Sequence, residues 1–337
     1  MTAPHRLRID TAALTDNWRT LDRMSGTAAC GAAIKADGYG VGANRVAGLL
    51  AEAGCRDFFV ATWAEAERLA PLGLPLSVLH GVRDEDMPIA SRGIARPVLN
   101  TEAQVARWRA AGGGVCDVMV DTGMNRLGVS AGAVRGGLLD GLEIDTLMSH
   151  LACADEDSAM NGRQLRAFGS LRGVTRARRM SLANSAGIAL GGGYVFDLTR
   201  PGLALYGGVP RHELAGAIRQ VVTPEAQVLQ RRVVQAGETV GYNAIWTAER
   251  QTEVAILNLG YADGYFRGFC DRGSAGGGTL PVIGRVSMDL VALDVSAAPD
   301  LAEGDWVAID FALPDAAAKS GMSQYELLTS LGQRYGR

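Results

Sequence analysis

Lys35 is the residue whose position in the sequence most clearly indicates a chemical role. It directly follows the apolar run AACGAAI, which ends at Ile34, and it precedes a glycine-rich turn. A lysine at the end of a buried strand is desolvated, which is costly unless the amine is paired or covalently used. A Schiff base with a bound aldehyde uses such a lysine, because partial dehydration lowers the amine pKa. A buried stem with its ammonium in solvent fits the position equally well.

The same turn offers a second interpretation. Gly38, Gly40 and Ala43 satisfy the G-x-G-x-x-G/A pattern of dinucleotide-binding loops. Asp57 could be the acidic residue that binds the ribose in such loops, although it follows the glycines at a somewhat short distance in the sequence. This short pattern would make the chain a nicotinamide-dependent dehydrogenase. It gives Lys35 no role.

Short β-rich runs alternate with segments of helical period between residues 29 and 206. The runs are AACGAAI ending at Ile34, DFFVA from Asp57, PLSVLHG from Pro75, ARPVLN from Ala95, VCDVMVD from Val115, IDTLMSH from Ile144, RMSLAN from Arg179 and LALYGG from Leu203. Eight such strand–helix units predict parallel strands joined by helical crossovers. A (β/α)8 barrel is the simplest such architecture, and barrel enzymes place their sites at the carboxyl ends of the strands.

The pattern changes after about Arg219 to Val-rich runs separated by turns. We therefore predict an α/β protein with two domains, a (β/α)8 barrel over residues 1–216 and an all-β C-terminal domain over residues 217–337. The GSAGGG stretch from Gly273 is expected at a hairpin tip.

Composition narrows the class of protein. The 33 Lys and Arg residues against 36 Asp and Glu give a net charge of -3, which favours neither nucleic acid nor membrane partners. Asp10, Asp16 and Arg19 interrupt any apolar signal segment, and no apolar run has the ~20 residues of a membrane helix. Five scattered cysteines without CxxC spacing are typical of reduced thiols. A soluble cytoplasmic protein is expected.

The segment AAIKADGYGVGA resembles the lysine motif of alanine racemases, which are fold-type III pyridoxal-phosphate (PLP) enzymes. Further segments resemble that family in the same order, namely VDTGMNRLG, MSHLACAD, LANSAGI, RPGLALYGG, VGYNAIW, and GYADGYFR with GRVSMD. A weaker match in TSLGQRYGR extends the resemblance to the end of the chain. It therefore covers nearly the whole sequence.

A cofactor phosphate needs donors, which barrels usually supply from the loops after strands seven and eight. Asn184-Ser185-Ala186-Gly187 follows the seventh predicted strand, and Pro201-Gly202-Leu203 opens the eighth. The resemblance implies that PLP is linked to Lys35 and that Ser185, the amides of Gly202 and Leu203, and the Tyr39 hydroxyl bind its phosphate. Ordinary turn chemistry is the alternative for these residues.

The resemblance assigns Arg200 to the ring nitrogen of PLP. An arginine keeps its proton, so the ring would stay unprotonated and side reactions such as transamination would be restrained. An ion pair with Asp197 is the alternative. His150 resembles the residue that links Tyr242 to Arg200, although a lone histidine after an apolar strand is more often a core residue.

Racemisation needs acid/base groups on opposite faces of the α-carbon. The resemblance implies that Lys35 serves one face and that Tyr242, arriving from the partner subunit, serves the other. This predicts a homodimer. The alternative for Tyr242 is a packing residue of the β domain.

Substrate recognition is also implied by the resemblance. Arg126 would bind the carboxylate of a small amino acid, and Met288 would complete that pocket from the other subunit. Tyr261 and Asp289 would line the entrance, which Arg267 helps to order. Core filling is the alternative for Met288 and Tyr261.

Three residues depart from the family pattern. Met119 stands where many members have a lysine, which is carbamylated in some of them, so the anion beside Arg126 cannot form. Val41 replaces a frequent histidine, and Gln333 replaces a tyrosine that contacts the phosphate in some members. None of these changes removes a catalytic group.

The expected activity is interconversion of L- and D-alanine. A racemase of broader or different specificity on the same scaffold is one alternative. A related decarboxylase would place a cysteine, not Tyr242, opposite the lysine. A non-catalytic PLP-binding homologue is the last alternative, but barrel-only PLP carriers lack a β domain.

Overall fold

The computed structural model describes residues 3–332 and 334–335. The described residues form two compact units, one of residues up to Ala13 together with residues from Gln220 onward, the other spanning Leu14–Arg219. The boundary expected between residues 216 and 217 stays a prediction. No helix in the described part of the chain combines the length and apolar character needed to cross a membrane.

The strands alternate with helices up to residue 199 and then follow one another. They are β1 (His5–Ile9), β2 (Ala29–Cys30), β3 (Ala32–Ala33), β4 (Phe58–Val60), β5 (Leu76–Val78), β6 (Arg96–Leu99), β7 (Cys116–Asp121), β8 (Val129–Ser130), β9 (Ile144–Met148), β10 (Arg179–Ser181), β11 (Leu198–Thr199), β12 (Val222–Val234), β13 (Thr239–Val240), β14 (Trp246–Thr247), β15 (Thr252–Leu257), β16 (Ser274–Ala275), β17 (Leu280–Ile283), β18 (Val291–Asp294) and β19 (Trp306–Ala308).

Most helices belong to the first 190 residues. They are α1 (Thr11–Ser25), the short turn α2 (Lys35–Tyr39), α3 (Ala43–Ala53), α4 (Trp63–Leu69), α5 (Met87–Ala90), α6 (Glu102–Ala110), α7 (Ala131–Arg135), α8 (Ala159–Gly169), α9 (Ser185–Ala189), α10 (Leu313–Ser320) and α11 (Gln324–Ser330). Single 3₁₀ turns occupy Ala70–Leu72, Gly192–Tyr194, Leu203–Tyr206, His212–Leu214, Tyr242–Ala244, Tyr261–Asp263 and Arg267–Phe269.

Parallel pairing of short strands builds the unit Leu14–Arg219. The order β3-β4-β5-β6-β7-β9-β10 is parallel throughout, and β11 pairs in parallel with β2. β2 and β3 are two parts of one strand separated by Gly31. Next to β11, the N–H of Asp197 donates to the carbonyl of Met180 in β10 (3.0 Å). Strands buried on both faces, such as β4, are the pattern that parallel sheets covered by helices require. The (β/α)8 barrel prediction is confirmed.

The eighth barrel strand lies earlier than the sequence pattern indicated. It is β11, and the run LALYGG from Leu203 begins with a 3₁₀ turn. The strand ends at Thr199, and beyond it the hydroxyl of Ser185 accepts the N–H groups of Gly202 (2.9 Å) and Ala204 (3.2 Å). Gly202 and Leu203 therefore follow the eighth strand and do not open it.

Charged side chains fill the amino end of the barrel. Asp57 precedes β4, Asp117 and Asp145 are the second residues of β7 and β9, and Arg96 and Arg179 begin β6 and β10. Arg179 binds Asp57 with two hydrogen bonds (3.0 and 2.7 Å) and Asp145 with one (2.6 Å). Together with Arg178, these residues form the barrel-base network, in which three carboxylates face three guanidinium groups.

The second unit is built on an antiparallel sheet in the order β1-β12-β15-β18-β17-β16, with β19 also pairing with β12. The strand β1 belongs to this sheet because His5–Ile9 pairs with Val222–Ala226. The hairpin β16–β17 turns within the GSAGGG stretch, as predicted. The unit is rich in strands, and it also contains the helices α10 and α11, which the all-β expectation omitted.

Candidate active site

Lys35 begins a turn of left-handed backbone at the carboxyl end of β3. Ala36, Asp37 and Tyr39 have φ values of 53°, 53° and 55°, and Gly38 has 64°. This conformation costs a non-glycine residue about 1–2 kcal/mol, so contacts must hold it. The Asp37 carboxylate accepts the N–H of Ala43 (2.9 Å), and the Tyr39 ring stacks on Tyr206 at 4.7 Å.

This turn removes the dinucleotide interpretation. The chain after β3 is a left-handed turn in a closed barrel, not the first loop of an open doubly wound sheet. Asp57 lies at the amino end of β4, where it binds Arg179. It therefore belongs to the opposite end of the barrel from Lys35 and cannot serve as a ribose acid beside this turn.

The amine of Lys35 lies in a half-buried, positively charged setting. Burial lowers its pKa, and the nearby Arg126 guanidinium lowers it further, whereas Glu65 raises it. A lowered pKa increases the fraction of neutral amine, which is the form that attacks an aldehyde. The environment therefore suits the covalent role predicted for Lys35.

Ser185, Gly202 and Tyr39 form a small cradle at the carboxyl ends of β10 and β11. Asn184 caps α9 by accepting the N–H of Gly187 (2.8 Å), and Ser185 is buried at the first helical position. A Cβ at Gly202 would collide with the Tyr39 hydroxyl, so this close approach requires glycine. Since the Ser185 oxygen accepts two backbone N–H groups, its own proton can be donated to an anion. These donors fit a phosphate group.

Arg200 lies inside the barrel next to β9 and β10. It donates to the Ser181 hydroxyl and to Ser149 O (2.6 Å). Burial lowers its pKa to about 10, which leaves the guanidinium charged at neutral pH. The Asp197 carboxylate instead accepts the N–H of Met180 (2.8 Å), and no ion pair joins it to Arg200 in the described residues.

His150 is held neutral by its surroundings. Burial, with the charges of Arg200, Arg126 and Lys35, lowers its pKa to about 3. The three cations that act on His150 are the predicted ring partner, substrate partner and cofactor lysine. The barrel thus brings together four residues that lie between positions 35 and 200 of the sequence.

Gln164 is a site-supporting residue that the sequence did not reveal. This fully buried side chain of α8 accepts the N–H of Ala152 (2.8 Å) and donates to His150 O (2.9 Å) and to the Thr122 hydroxyl (3.2 Å). It therefore ties the loop after β9 to the loop after β7. The sequence feature that could have indicated Gln164 is the presence of a glutamine on the buried face of an amphipathic helix.

Four predicted site residues belong to the other unit. Tyr242 begins a 3₁₀ turn after Gly241 and is 68% exposed, and Met288 is 54% exposed. Neither fills a core in this chain, which removes the packing alternative for both. Asp289 accepts a hydrogen bond from Arg334 (2.7 Å). The Tyr261 ring lies 5.1 Å from the guanidinium of Arg267, consistent with the ordering role expected for that arginine.

Two of the three departures from the family pattern are buried. Met119 lies in β7 and is nearly inaccessible, and Val41 is buried after the left-handed turn. Both are buried, so a lysine or histidine at either position would be desolvated. Gln333 lies outside the described residues.

The barrel, the lysine on its left-handed turn and the cradle of hydroxyl and amide donors define a class of protein, the barrel enzymes that bind an anionic cofactor. Models of the alanine racemase N-terminal and C-terminal domains match residues 9–210 and 221–337. The chain belongs to the alanine racemase family.

Individual relatives match over nearly full length. An alanine racemase of Methylobacterium nodulans is 42% identical over 98% of this chain and 95% of its own. One from Cereibacter sphaeroides is 43% identical over 98% of this chain and 97% of its own. Among solved structures, the alanine racemase from Bartonella henselae with covalently bound pyridoxal phosphate has a TM-score of 0.90 at 33% identity, covering 99% of both chains.

Proposed function

We propose that this protein is a PLP-dependent racemase that interconverts L- and D-alanine by a two-base mechanism. The observation that carries the proposal is the geometry of one short turn. It bears both Lys35 and Tyr39, and the Tyr39 hydroxyl lies against Gly202 in the cradle formed with Ser185. One turn therefore carries the lysine that would bind the aldehyde of PLP and the tyrosine that reaches the cradle for its phosphate.

The residues of the barrel fit the cofactor's chemical groups. PLP, when bound, withdraws electrons from the α-carbon of an attached amino acid and so makes its proton removable. The hydroxyls of Ser185 and Tyr39 and the amide of Leu203 would hold the phosphate, and the Gly202 N–H, which was expected to bind it as well, donates to the Ser185 hydroxyl oxygen (2.9 Å) and so orients that hydroxyl. Arg200 stays charged at neutral pH, so at the ring nitrogen it would donate a hydrogen bond without giving up its proton.

Two side chains would move the proton. The Lys35 amine, whose pKa is lowered by burial and by Arg126, would take or return a proton on one face of the α-carbon. The Tyr242 hydroxyl of a second copy would do so on the other face. Neutral His150 can both donate and accept a hydrogen bond, which supports its proposed link between Tyr242 and Arg200.

Arg126 is the proposed partner of the substrate carboxylate. Its charge acts on both Lys35 and His150, so a carboxylate bound to it would lie beside the two groups. Met288 of a second copy would close this pocket, and Tyr261 with Asp289 would line the entrance. Bulky side chains at the entrance favour a substrate as small as alanine.

A homodimer is proposed because the second unit exposes several large apolar side chains. Between residues 229 and 290 these are Leu229, Val233, Tyr242, Ile245, Met288 and Leu290. Tyr242 and Leu290 line the same surface cavity. Exposed apolar patches mark interaction sites, and a second copy is the occupant that would also deliver Tyr242 and Met288 to a site. All five cysteines are free thiols, which supports a cytoplasmic location.

The decisive experiment incubates PLP-loaded protein separately with L-alanine, L-serine and L-lysine in deuterated water and follows chirality and deuterium content. Formation of α-deuterated D-alanine ahead of the other products supports the proposal. A faster reaction with serine or lysine would assign a different racemase. Exchange without inversion would indicate a one-base enzyme, and no reaction would indicate a PLP-binding protein.

The two-base mechanism makes its own prediction. Tyr242→Phe should lower kcat about 10²–10⁴-fold, the usual contribution of a general acid or base, while PLP stays bound. Tyr325→Phe is the matched control, because Tyr325 is also exposed and belongs to the same unit. Racemisation at the unchanged rate by Tyr242→Phe would contradict the assignment of the second base.

A further inference from the structure

We propose that Glu65 is a positioning residue for the cofactor lysine, acting through a hydrogen bond to the backbone of the turn that carries Lys35. The proposal rests on the proposed function, since it concerns how the same site is held. Glu65 lies on α4, in the segment that follows the second barrel strand.

The Glu65 carboxylate joins two loops. One oxygen, Oε2, accepts the N–H groups of Ala61 (2.6 Å) and Thr62 (3.2 Å) at the start of α4. The other oxygen, Oε1, accepts the N–H of Ala36 (2.7 Å), the residue directly after Lys35. The loops at the carboxyl ends of β3 and β4 are thereby held by a single side chain.

Helix capping accounts for only half of these contacts. In a capping box, a glutamate at the third helical position binds the N–H at the cap, as Oε2 of Glu65 does with Thr62. The bond to Ala36 is an additional contact to a segment 29 residues away in sequence. A purely structural cap would need only Oε2, so the second oxygen is used for the lysine turn.

The turn needs such a contact because its backbone is strained. Ala36 and Asp37 adopt left-handed φ values of 53° without the freedom of glycine. Ala36 opens this left-handed stretch, so fixing its N–H fixes where the stretch begins. The direction of Lys35 and the position of Tyr39 both follow from that start.

The charge of Glu65 acts on the same lysine. It raises the Lys35 pKa, whereas burial and Arg126 lower it. Glutamine at position 65 would have nearly the same shape, but it would lose the charge and could not accept hydrogen bonds at both ends. Glu65→Gln therefore tests orientation and charge with little change in volume.

Two matched controls separate this role from others. Thr62→Ala removes the hydroxyl that accepts the Glu65 N–H (3.3 Å), so it weakens the cap of α4 and leaves the carboxylate on Ala36. Glu67→Gln removes a charge from the same helix at an exposed position that pairs with Arg92. Neither control residue contacts the lysine turn through its side chain.

The sequence permits a direct measurement on the lysine. It contains two lysines, Lys35 and Lys319, so labelling of the cofactor-free protein with an amine-directed reagent resolves each by peptide mapping. Lys319 lies in α10 and serves as the internal reference. Labelling is measured against pH, and PLP affinity is measured separately by titration of the visible absorbance of the lysine adduct.

We expect Glu65→Gln to weaken PLP binding about tenfold, the effect of one lost charge-assisted hydrogen bond, and to shift Lys35 labelling to lower pH. Thr62→Ala should lower stability alone, and Glu67→Gln should change neither readout. Unchanged PLP affinity and labelling in Glu65→Gln would overturn the proposal, as would equal changes in Thr62→Ala. Failure of the wild-type protein to racemise alanine would instead refute the proposed function, since the labelling readout does not depend on catalysis.

Discussion

Replacement of Arg179 by methionine should destabilise the protein strongly, whereas the same change at Arg178 should not. Both arginines bind Asp145 with a 2.6 Å hydrogen bond, but only Arg179 also binds Asp57. The Arg179 side chain is 25% exposed and that of Arg178 is 64% exposed. The two residues are therefore a matched pair that differs in the burial of the side chain and in the number of carboxylates that it binds.

The magnitude follows from what each substitution leaves behind. Without Arg179, the buried Asp57 keeps one guanidinium partner among the described residues, the more distant Arg96 at 3.7 Å, and Asp145 keeps Arg178 and Arg96. Breaking a buried pair by removing one partner costs about 3–5 kcal/mol, and the remaining arginines favour the lower end, about 3 kcal/mol. Loss of the exposed Arg178 should cost at most about 1 kcal/mol.

Urea unfolding of the cofactor-free protein, followed by circular dichroism, measures the two free energies. Native-state hydrogen exchange of the amides in β9 and β10 shows whether the loss is local to the barrel-base network. Turnover per folded molecule should stay unchanged, because the network lies at the end of the barrel opposite Lys35. Asp57→Asn added to Arg179→Met should restore part of the stability by removing the charge left without its partner.

Equal destabilisation by Arg179→Met and Arg178→Met would refute this reasoning, because burial would then have no effect on the energy of the pair. A failure of Asp57→Asn to restore stability would also contradict it. That result would mean that Arg179 stabilises the barrel through packing of its stem.

Two further predictions concern the site. Gly202→Ala should weaken PLP binding by about 5- to 150-fold, because its Cβ would displace the Tyr39 hydroxyl and such overpacking costs about 1–3 kcal/mol. A titration that gives wild-type affinity would contradict this prediction. The second concerns His150, whose pKa burial and Arg200 lower to about 3 in the folded state. Below about pH 6.5 the imidazole is protonated in the unfolded chain, whereas in the folded chain it stays neutral down to about pH 3. The stability of the wild-type protein should therefore fall relative to that of His150→Gln as the pH is lowered from about 6.5 to 3. The free energies of unfolding of the two proteins are measured over a pH series. A constant difference between them at all pH values would contradict this prediction.

The barrel could be predicted because each of its strands is a short apolar run followed by a helical period. That pattern reports burial on both faces of a strand, and parallel strands joined by crossovers are the architecture that needs it. Lys35 could be singled out for a local reason as well, since a desolvated lysine at the end of a buried strand is costly unless its amine is paired or covalently used. The family assignment followed from motifs that keep their order along the chain, and the domain models confirm it.

The end of the barrel was harder to predict than its beginning. The run LALYGG has the apolar character of a strand, yet Leu203–Tyr206 forms a 3₁₀ turn and the strand is Leu198–Thr199. The N–H groups of Gly202 and Ala204, at the start of this turn, bind the hydroxyl of Ser185 in α9. Hydropathy measures burial, but it does not identify the hydrogen-bond partner of a buried segment.

The sequence by itself therefore determined the class of fold and the family, and it predicted the lysine around which the proposed site is built, because each depends on local pattern. The tertiary structure alone decided that Ala36 and Asp37 adopt left-handed backbone, that Glu65 binds their turn, and that Asp57 pairs with Arg179. Each of these features is held by a residue from a distant segment. Packing of the strands into the barrel creates those contacts, and no pattern within one segment encodes them.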